Sequence, residues 1–136
     1  MTSAIVAVVA ALAVAAVVGW LLNRRAGHVR ATDPADEVDT SDLGLSADGP
    51  TVVHFTAPWC SPCTQVRRVV TAVCSDLGDV AHVEIDMDAN PAAARRLSVL
   101  SLPTTFIFDA EGRQRYRASG VPKADDLRSA LTPLLA

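Results

Sequence analysis

The stretch WCSPC at positions 59–63 places two cysteines, Cys60 and Cys63, at the beginning of a predicted helix. Before it, Thr51–Phe55 is a short β-rich run, typical of a strand that is buried on both faces. After it, apolar residues recur every three or four positions, so Ser61–Leu77 is predicted to be an amphipathic helix. The cysteine pair therefore stands where a strand gives way to a helix.

This position favours redox chemistry at the two sulfurs. The amino end of a helix carries free N–H groups and a partial positive charge, which stabilise a thiolate over a thiol. A thiolate is the species that attacks a disulfide sulfur. Cys63 lies one turn further along the same face, and Pro62 stiffens that turn. We therefore predict that Cys60 is the nucleophile and that Cys63 resolves the mixed disulfide.

Two other interpretations of the cysteine pair stay open. A structural zinc site needs a second pair of ligands, and the chain offers only Cys74 and scattered histidines, so no metal site is expected. Inert buried cysteines are the other alternative, which the position at a helix start disfavours. Cys74 itself falls on the apolar stripe of the helix, where a core residue is expected and a regulatory thiol is the alternative.

The flanking patterns predict the fold class. Further strands are indicated at Val80–Ile85, Thr104–Phe108 and Arg113–Arg117, and further helices from Asn90 to Leu97 and around Leu127–Leu134. The predicted order is β-α-β-α-β-β-α. Strands joined by a helix are parallel and strands joined by a tight turn are antiparallel, so this is an α/β protein with a mixed sheet and helices on both faces.

Two separated motifs resemble those of the thioredoxin family. Trp59–Cys60–Ser61–Pro62–Cys63 is similar to the family's Trp-Cys-x-Pro-Cys motif, and Leu102–Pro103–Thr104 resembles its apolar-Pro-Thr loop. Ser119–Gly120 resembles the family's late glycine, and the resemblance extends from Thr51 to Leu135. It implies a thioredoxin-like domain over residues 51–136, in which the family's first strand and first helix are missing or reduced.

The resemblance also implies a substrate groove. Its members are Trp59, Ser61, Pro62 and the two cysteines on one side, and Leu102, Pro103 and Thr104 on the other. Pro103 is implied to be cis, and the backbone before it to pair with a client chain like an added strand. Disulfide-containing clients and an electron donor such as a thioredoxin reductase follow as partners. No bound cofactor is implied, because the cysteines carry the electrons.

His54 is a departure from the family pattern. Most thioredoxins have a buried aspartate six residues before the first cysteine, often paired with a lysine on the next strand, and here these positions hold His54 and His82. Since histidine can act as a base near neutral pH, we predict that His54 is a proton relay that tunes Cys63. The alternative is a hydrogen-bonded core histidine with no redox role.

The amino-terminal part predicts a membrane anchor. After a tail at residues 1–3, Ala4–Leu22 has no charge and no proline, and as a helix it would span roughly 28 Å, close to a bilayer core. A cleaved signal peptide is the alternative. Residues 23–50 are predicted to be a basic flank and an acidic, solvated linker, since residues 31–50 hold six acids and neither Lys nor Arg. Arg24, Arg25 and Arg30 follow the span, so the domain is expected on the cytoplasmic side.

These features together predict a single-pass membrane protein that reduces protein disulfides. The net charge is −3, and nine acids balance nine bases from Thr51 onward, so no nucleic-acid surface is indicated. Three alternatives stay open: an outward-facing oxidase or reductase with the same chemistry, a non-catalytic binding or holdase module that uses the groove, and a metal-delivery protein.

Overall fold

The computed structural model describes residues 1–33 and 37–136. Its helices are α1 (Thr2–Arg24), α2 (Ser61–Leu77), α3 (Pro91–Arg96) and α4 (Ala124–Leu131), followed by a 3₁₀ turn at Thr132–Leu135. Its strands are β1 (Arg30–Ala31), β2 (Thr51–Thr56), β3 (Ala81–Asp86), β4 (Thr104–Phe108) and β5 (Gln114–Ser119). From β2 onward this is the predicted order of elements.

The five strands form one mixed sheet in the order β1-β5-β4-β2-β3. β2 is parallel to β3, to which α2 connects it, and antiparallel to β4. β4 and β5 are antiparallel, as expected for a hairpin. The predicted α/β fold with a thioredoxin-like mixed sheet is therefore confirmed. β2 lies between two partners, and its carboxyl end leads directly into the cysteine pair.

Alternation along the strands builds a core on each face of the sheet. On one face Phe55 and Phe106 pack edge to face, with ring centroids 5.9 Å apart, against α3. On the other face Val52 and Ile107 pack against α2 and α4. Because successive side chains of a strand point to opposite faces, the apolar run of β2 serves both cores. This double burial is what the unbroken β-rich run predicted.

The linker prediction is wrong for the part from residue 37 to residue 50. Leu43 is only 3% exposed and belongs to the same core as Phe55. The Arg96 side chain donates a hydrogen bond to the Asp39 carbonyl (2.8 Å) and another to the Asp42 carboxylate. One acidic side chain, that of Asp42, thus has a partner on the domain, and one leucine anchors the segment. Pro34–Asp36, which the same prediction covered, lies outside the described residues.

The first strand is reduced to two residues. Arg30 pairs with Arg117 and Ala31 with Tyr116 on β5, and the Thr32 N–H donates to the Arg115 carbonyl at 2.9 Å. Among the described residues between β1 and β2 there is no helix. The expected reduction of the family's first strand and first helix is therefore observed.

α1 makes no buried contact with the described remainder of the chain. It is long and apolar enough to cross a membrane, a property that it shares with signal sequences. Arg24 in its last turn lies over the Trp20 ring, 3.7 Å from the centroid. Apolar surface that is exposed to water is unfavourable. The exposure of α1 is therefore consistent with a helix that lies in a membrane or with a signal sequence that is cleaved off.

We expect Leu43→Ala to destabilise the protein by about 2–5 kcal/mol, because it empties a buried leucine site. Leu100→Ala, at a position that is 92% exposed, is the matched control and should change stability by less than about 0.5 kcal/mol. Urea unfolding of the full chain in detergent, followed by circular dichroism, measures both. Equal stability of the two variants would show that the linker segment does not contribute to the core.

Candidate active site

Cys60 and Cys63 form a disulfide. Their Cα atoms are 5.5 Å apart and the S–S distance is 2.08 Å. Cys60 is the N-cap of α2, with an extended backbone (φ −89°, ψ 96°), so the helix begins immediately after it. The structure therefore brings together the two cysteines that the spacing predicted, at the positive end of a helix dipole.

The two sulfurs differ in their surroundings. Cys60 is 8% exposed, whereas Cys63 is 2% exposed and lies on the buried face of α2. The Cys63 Sγ is 3.9 Å from the Phe55 carbonyl oxygen. In the oxidised form this is a contact without a hydrogen, and in the reduced form the same geometry lets the Cys63 thiol donate to that carbonyl. Cys60 is accordingly the more exposed residue of the pair, and both are largely buried in the disulfide form.

The cis-proline loop borders the disulfide. The Leu102–Pro103 peptide bond is cis. Leu102 packs against a small cluster formed by Ala57 and the two cysteines. The loop is held by Thr104, whose hydroxyl donates to the Ser101 carbonyl at 2.6 Å. The structure thus places Leu102 against the cysteine pair, with the cis Pro103 directly after it.

Two large apolar side chains near the disulfide are open to solvent. Trp59 is 67% exposed, and its indole N–H donates to the Asp88 carboxylate at 3.0 Å. Leu100, two residues before Leu102, is 92% exposed. Ser61 and Pro62, at the start of α2, are also exposed. Trp59, next to Cys60, and Leu100, two residues before the Leu102 that packs against the cysteines, thus offer exposed apolar surface suited to contacting another polypeptide.

His54 is fully buried in the centre of the sheet. Its Nδ1 is 3.4 Å from His82 Nε2, and its Nε2 is 3.5 Å from a carboxylate oxygen of Glu84. Burial, and next the proximity of His82, lower the pKa of His54 to about 4. The imidazole is therefore neutral at pH 7, and its contact with Glu84 is not an ion pair.

A charged pair covers this histidine on the α2 side. Arg67, one turn beyond Cys63, donates two hydrogen bonds to Glu84, one of them at 2.8 Å. The Arg67 guanidinium holds the pKa of Glu84 below its usual value, so Glu84 stays a carboxylate. The His54 Nε2 has no hydrogen-bond partner among the described residues, and neither has the hydroxyl of Thr105, opposite it on β4.

The sequence matches known proteins along most of the folded part. The family model described as Thioredoxin matches residues 38–133. The chain belongs to the thioredoxin family. A thioredoxin of Mycolicibacterium smegmatis is 42% identical over 90 residues, which is 64% of this chain and 77% of that protein. The chloroplastic M-type thioredoxin of Zea mays is 30% identical over 126 residues, covering 87% of this chain and 72% of that one.

Solved thioredoxin structures agree with this assignment. A thioredoxin variant from Halobacterium salinarum superposes with a TM-score of 0.60 at 30% identity, covering 67% of this chain and 79% of that chain. Chloroplastic thioredoxin z gives a TM-score of 0.58, also at 30% identity, over 64% of this chain and 79% of that chain. Thioredoxins are generally protein-disulfide oxidoreductases, and the Cys60–Cys63 disulfide supports thiol–disulfide oxidoreductase chemistry for this member.

The third cysteine of this thioredoxin-family chain lies in the core. Cys74 is 8% exposed and packs among the valines of α2. Burial raises the pKa of its thiol to about 11, so it is protonated and unreactive at neutral pH. The prediction of a core residue is confirmed. No group of three or more histidine, cysteine or acidic side chains is arranged to hold a metal within residues 1–33 and 37–136.

Several residues near the site were not singled out from the sequence. Glu84 and Arg67 enclose His54, and Asp88 holds the Trp59 indole. Glu84 stands two positions after His82 on β3. Because side chains alternate along a strand, this spacing places both on one face, so the sequence did contain a signal for Glu84. The Asp88 contact joins residues 29 positions apart and had no local signal.

The free energy of unfolding should fall as the pH falls from about 6.5 toward about 4. The pKa of His54 is lowered in the folded state, so below pH 6.5 the unfolded chain binds a proton that the folded chain excludes. A shift of this size corresponds to about 3 kcal/mol. His82 is shifted in the same direction. The pKa of Glu84 is also lowered from its ordinary value of 4.5, so protonation of this carboxylate reduces the free energy of unfolding further as the pH falls below that value.

His54→Gln should therefore flatten this dependence between pH 6.5 and pH 4.5. His28→Gln, at an exposed histidine, is the control and should keep the parent's slope. Urea midpoints across that pH range supply the comparison. A His54→Gln variant with the parent's full slope would mean that His54 titrates alike in the folded and unfolded chains.

Proposed function

We propose that this thioredoxin-family chain is a protein-disulfide reductase, with Cys60 as nucleophile and Cys63 as resolving cysteine. The observation that carries the proposal is the asymmetry of the pair: Cys60 is the N-cap at the helix start and has the larger exposed fraction, 8%, whereas Cys63 is 2% exposed on the buried face of α2, against the Phe55 carbonyl. An attacking sulfur has to be reached by a client, whereas a resolving sulfur has only to reach its neighbour.

The proposed reaction passes through one mixed disulfide. The Cys60 thiolate attacks a client sulfur, so that a Cys60–client bond forms while the client disulfide breaks and its other sulfur leaves as a thiolate. Cys63, once deprotonated, attacks the Cys60 sulfur and releases the second client thiolate. The client gains two electrons, its thiolates take up two protons, and the chain ends with the Cys60–Cys63 disulfide seen in the structure.

The electrons are returned by another dithiol carrier, for which a thioredoxin reductase is the proposed donor. We propose no bound cofactor, since the two cysteines carry both electrons. The client chain would lie along the backbone of Ser101–Leu102, beside the cis peptide bond, with Trp59 and Leu100 flanking it. This backbone would pair with the client as an added strand does.

His54 is proposed to assist the deprotonation of Cys63. It directly precedes Phe55, whose carbonyl contacts the Cys63 sulfur, and a neutral imidazole can accept a proton. Its polar contacts are with His82 and Glu84, and no hydrogen bond joins it to either cysteine among the described residues. The pH–rate profile of His54→Gln tests the role: a relay shifts the profile, and an unchanged profile makes His54 a core residue only.

The protein is proposed to act at a membrane, with α1 as an uncleaved anchor and the domain in the cytosol. The exposed apolar surface of α1 and the arginines after its apolar part support this placement. The alternative is an outward-facing domain with the same chemistry, or a cleaved signal. Labelling of the carboxyl terminus in intact and opened cells distinguishes the two orientations, and the mass of the mature chain detects cleavage.

Cys60→Ser should reduce insulin no faster than dithiothreitol alone, because the attacking sulfur is gone. Cys63→Ser should accumulate a mixed disulfide with insulin, visible on a non-reducing gel, because nothing resolves it. Cys74→Ser is the matched control and should keep the parent's rate, since that thiol is buried and protonated. Equal rates for Cys60→Ser and the parent would favour the non-catalytic binding module.

A further inference from the structure

The segment that leaves α1 is fastened to the domain within a few residues. The Gly27 N–H donates to the Ser119 carbonyl at 2.5 Å. Gly27 is buried with φ +81°, and a Cβ there would lie 2.1 Å from the Val121 carbonyl oxygen. Only glycine fits such a position, where both the backbone conformation and the space exclude a side chain. Beyond it, Arg30–Ala31 pairs with β5.

The residues that Gly27 contacts are in turn hydrogen-bonded to the cis-proline loop. Gly120, next to Ser119, donates its N–H to the Pro103 carbonyl at 2.9 Å. The nitrogen of Gly27 in turn lies 3.2 Å from the position that a Cβ on Gly120 would occupy. The exit from α1, the Ser119–Val121 turn and the cis-proline loop are therefore stacked one on the next, by backbone contacts that leave little freedom.

This stacking sets the distance between the anchor and the groove. α1 ends at Arg24, and the three residues to Gly27 span at most about 10 Å. A cleft of about 1080 Å³ lies between the end of the anchor and the groove. Its lining includes Leu22, Arg25 and Ala26 from the end of the anchor, and Ser101, Leu102 and Gly120 from the groove. The proposed client-binding backbone thus opens onto the end of the anchor.

We propose that the docked anchor holds the groove at the bilayer surface, where it receives the extended juxtamembrane segment of a membrane-spanning client. The inference rests on the proposed reductase function and on α1 as an anchor. A client chain that lies along Ser101–Leu102 enters this cleft and passes the end of α1. The client chain therefore runs along the bilayer surface. A client disulfide a few residues from a membrane-spanning helix lies at the matching height.

The physical advantage is effective concentration. Two proteins in one bilayer meet in a plane, and a reactive disulfide held at the height of the groove is presented to Cys60 more often than one on a long tether. A rigid connection keeps this preference, whereas a flexible linker between anchor and domain would remove it. The solvated tether expected from the sequence would have given no such preference.

The test uses the full chain in phosphatidylcholine vesicles and one disulfide-bonded peptide loop in three settings. The loop is placed about four residues from the end of a model membrane-spanning helix, or beyond a Gly/Ser spacer of about 30 residues, which reaches roughly 30 Å. The third setting is the free loop in solution. We expect the parent to reduce the near loop about tenfold faster than the spaced loop.

Two variants identify the docked anchor as the cause. Insertion of about 20 Gly/Ser residues between Arg25 and Ala26 leaves Gly27 docked but makes the distance between the anchor and the groove variable. This insertion should bring the ratio of the near-loop rate to the spaced-loop rate close to one. Gly27→Ala, which undocks the exit segment, should lower the ratio too. Gly44→Ala is its matched control, because Gly44 shares a positive φ but has open space around it, and it should keep the ratio. Reduction of the free loop should be unchanged in the insertion variant and in Gly44→Ala.

Equal rates on the near and spaced loops in the parent would overturn the inference, and so would a ratio that survives the insertion. Failure of the parent to reduce even the free loop would overturn the reductase function, and the inference with it. Failure to float with the vesicles would overturn the anchor in the same way. These results differ from one another, so each identifies the statement that fails.

Discussion

The antiparallel pairing of β2 with β4 is the constraint on which the site depends. Phe55, near the end of β2, stands opposite Thr104, the first residue of β4. The chain leaving β2 therefore turns into the dithiol at the same sheet edge where the cis-proline loop arrives. A shift of one residue would turn every side chain to the other face and remove both cores, so apolar burial on two faces fixes this register. The geometry of the groove follows from the packing of the sheet.

The second constraint acts at the opposite edge of β4. Because β5 pairs with β4 on one side and with Arg30–Ala31 on the other, the chain that leaves α1 is tied to the same sheet that carries the substrate loop. Two glycines with positive φ, Gly27 and Gly120, allow the backbones to approach this closely. The reduced first strand thus has a position-setting role that its two residues alone would not suggest.

The polar cluster beneath α2 has a different balance of forces. A fully buried imidazole with an unsatisfied nitrogen costs free energy, and this cost is kept low by leaving His54 neutral. Charge is confined to Glu84 and Arg67, which are partly exposed and hydrogen-bonded to each other. The family's usual aspartate and lysine would place opposite charges here. In this member the histidine pair leaves this part of the interior uncharged at neutral pH, next to Phe55, whose carbonyl contacts Cys63.

The amino-acid sequence was enough to predict the order of elements from Thr51 onward, the pairing of Cys60 with Cys63 and the burial of Cys74. These follow from local patterns: hydrophobic periodicity, a cysteine spacing of one helical turn, and turn residues. Only the tertiary contacts show that Leu43 enters the core, that Glu84 contacts both His54 and Arg67, and that Gly27 docks against Ser119 and Gly120. Such contacts join residues far apart in the chain. Composition described residues 31–50 as acidic and solvated, but one buried leucine and a few long-range hydrogen bonds outweigh composition once a surface exists to receive them.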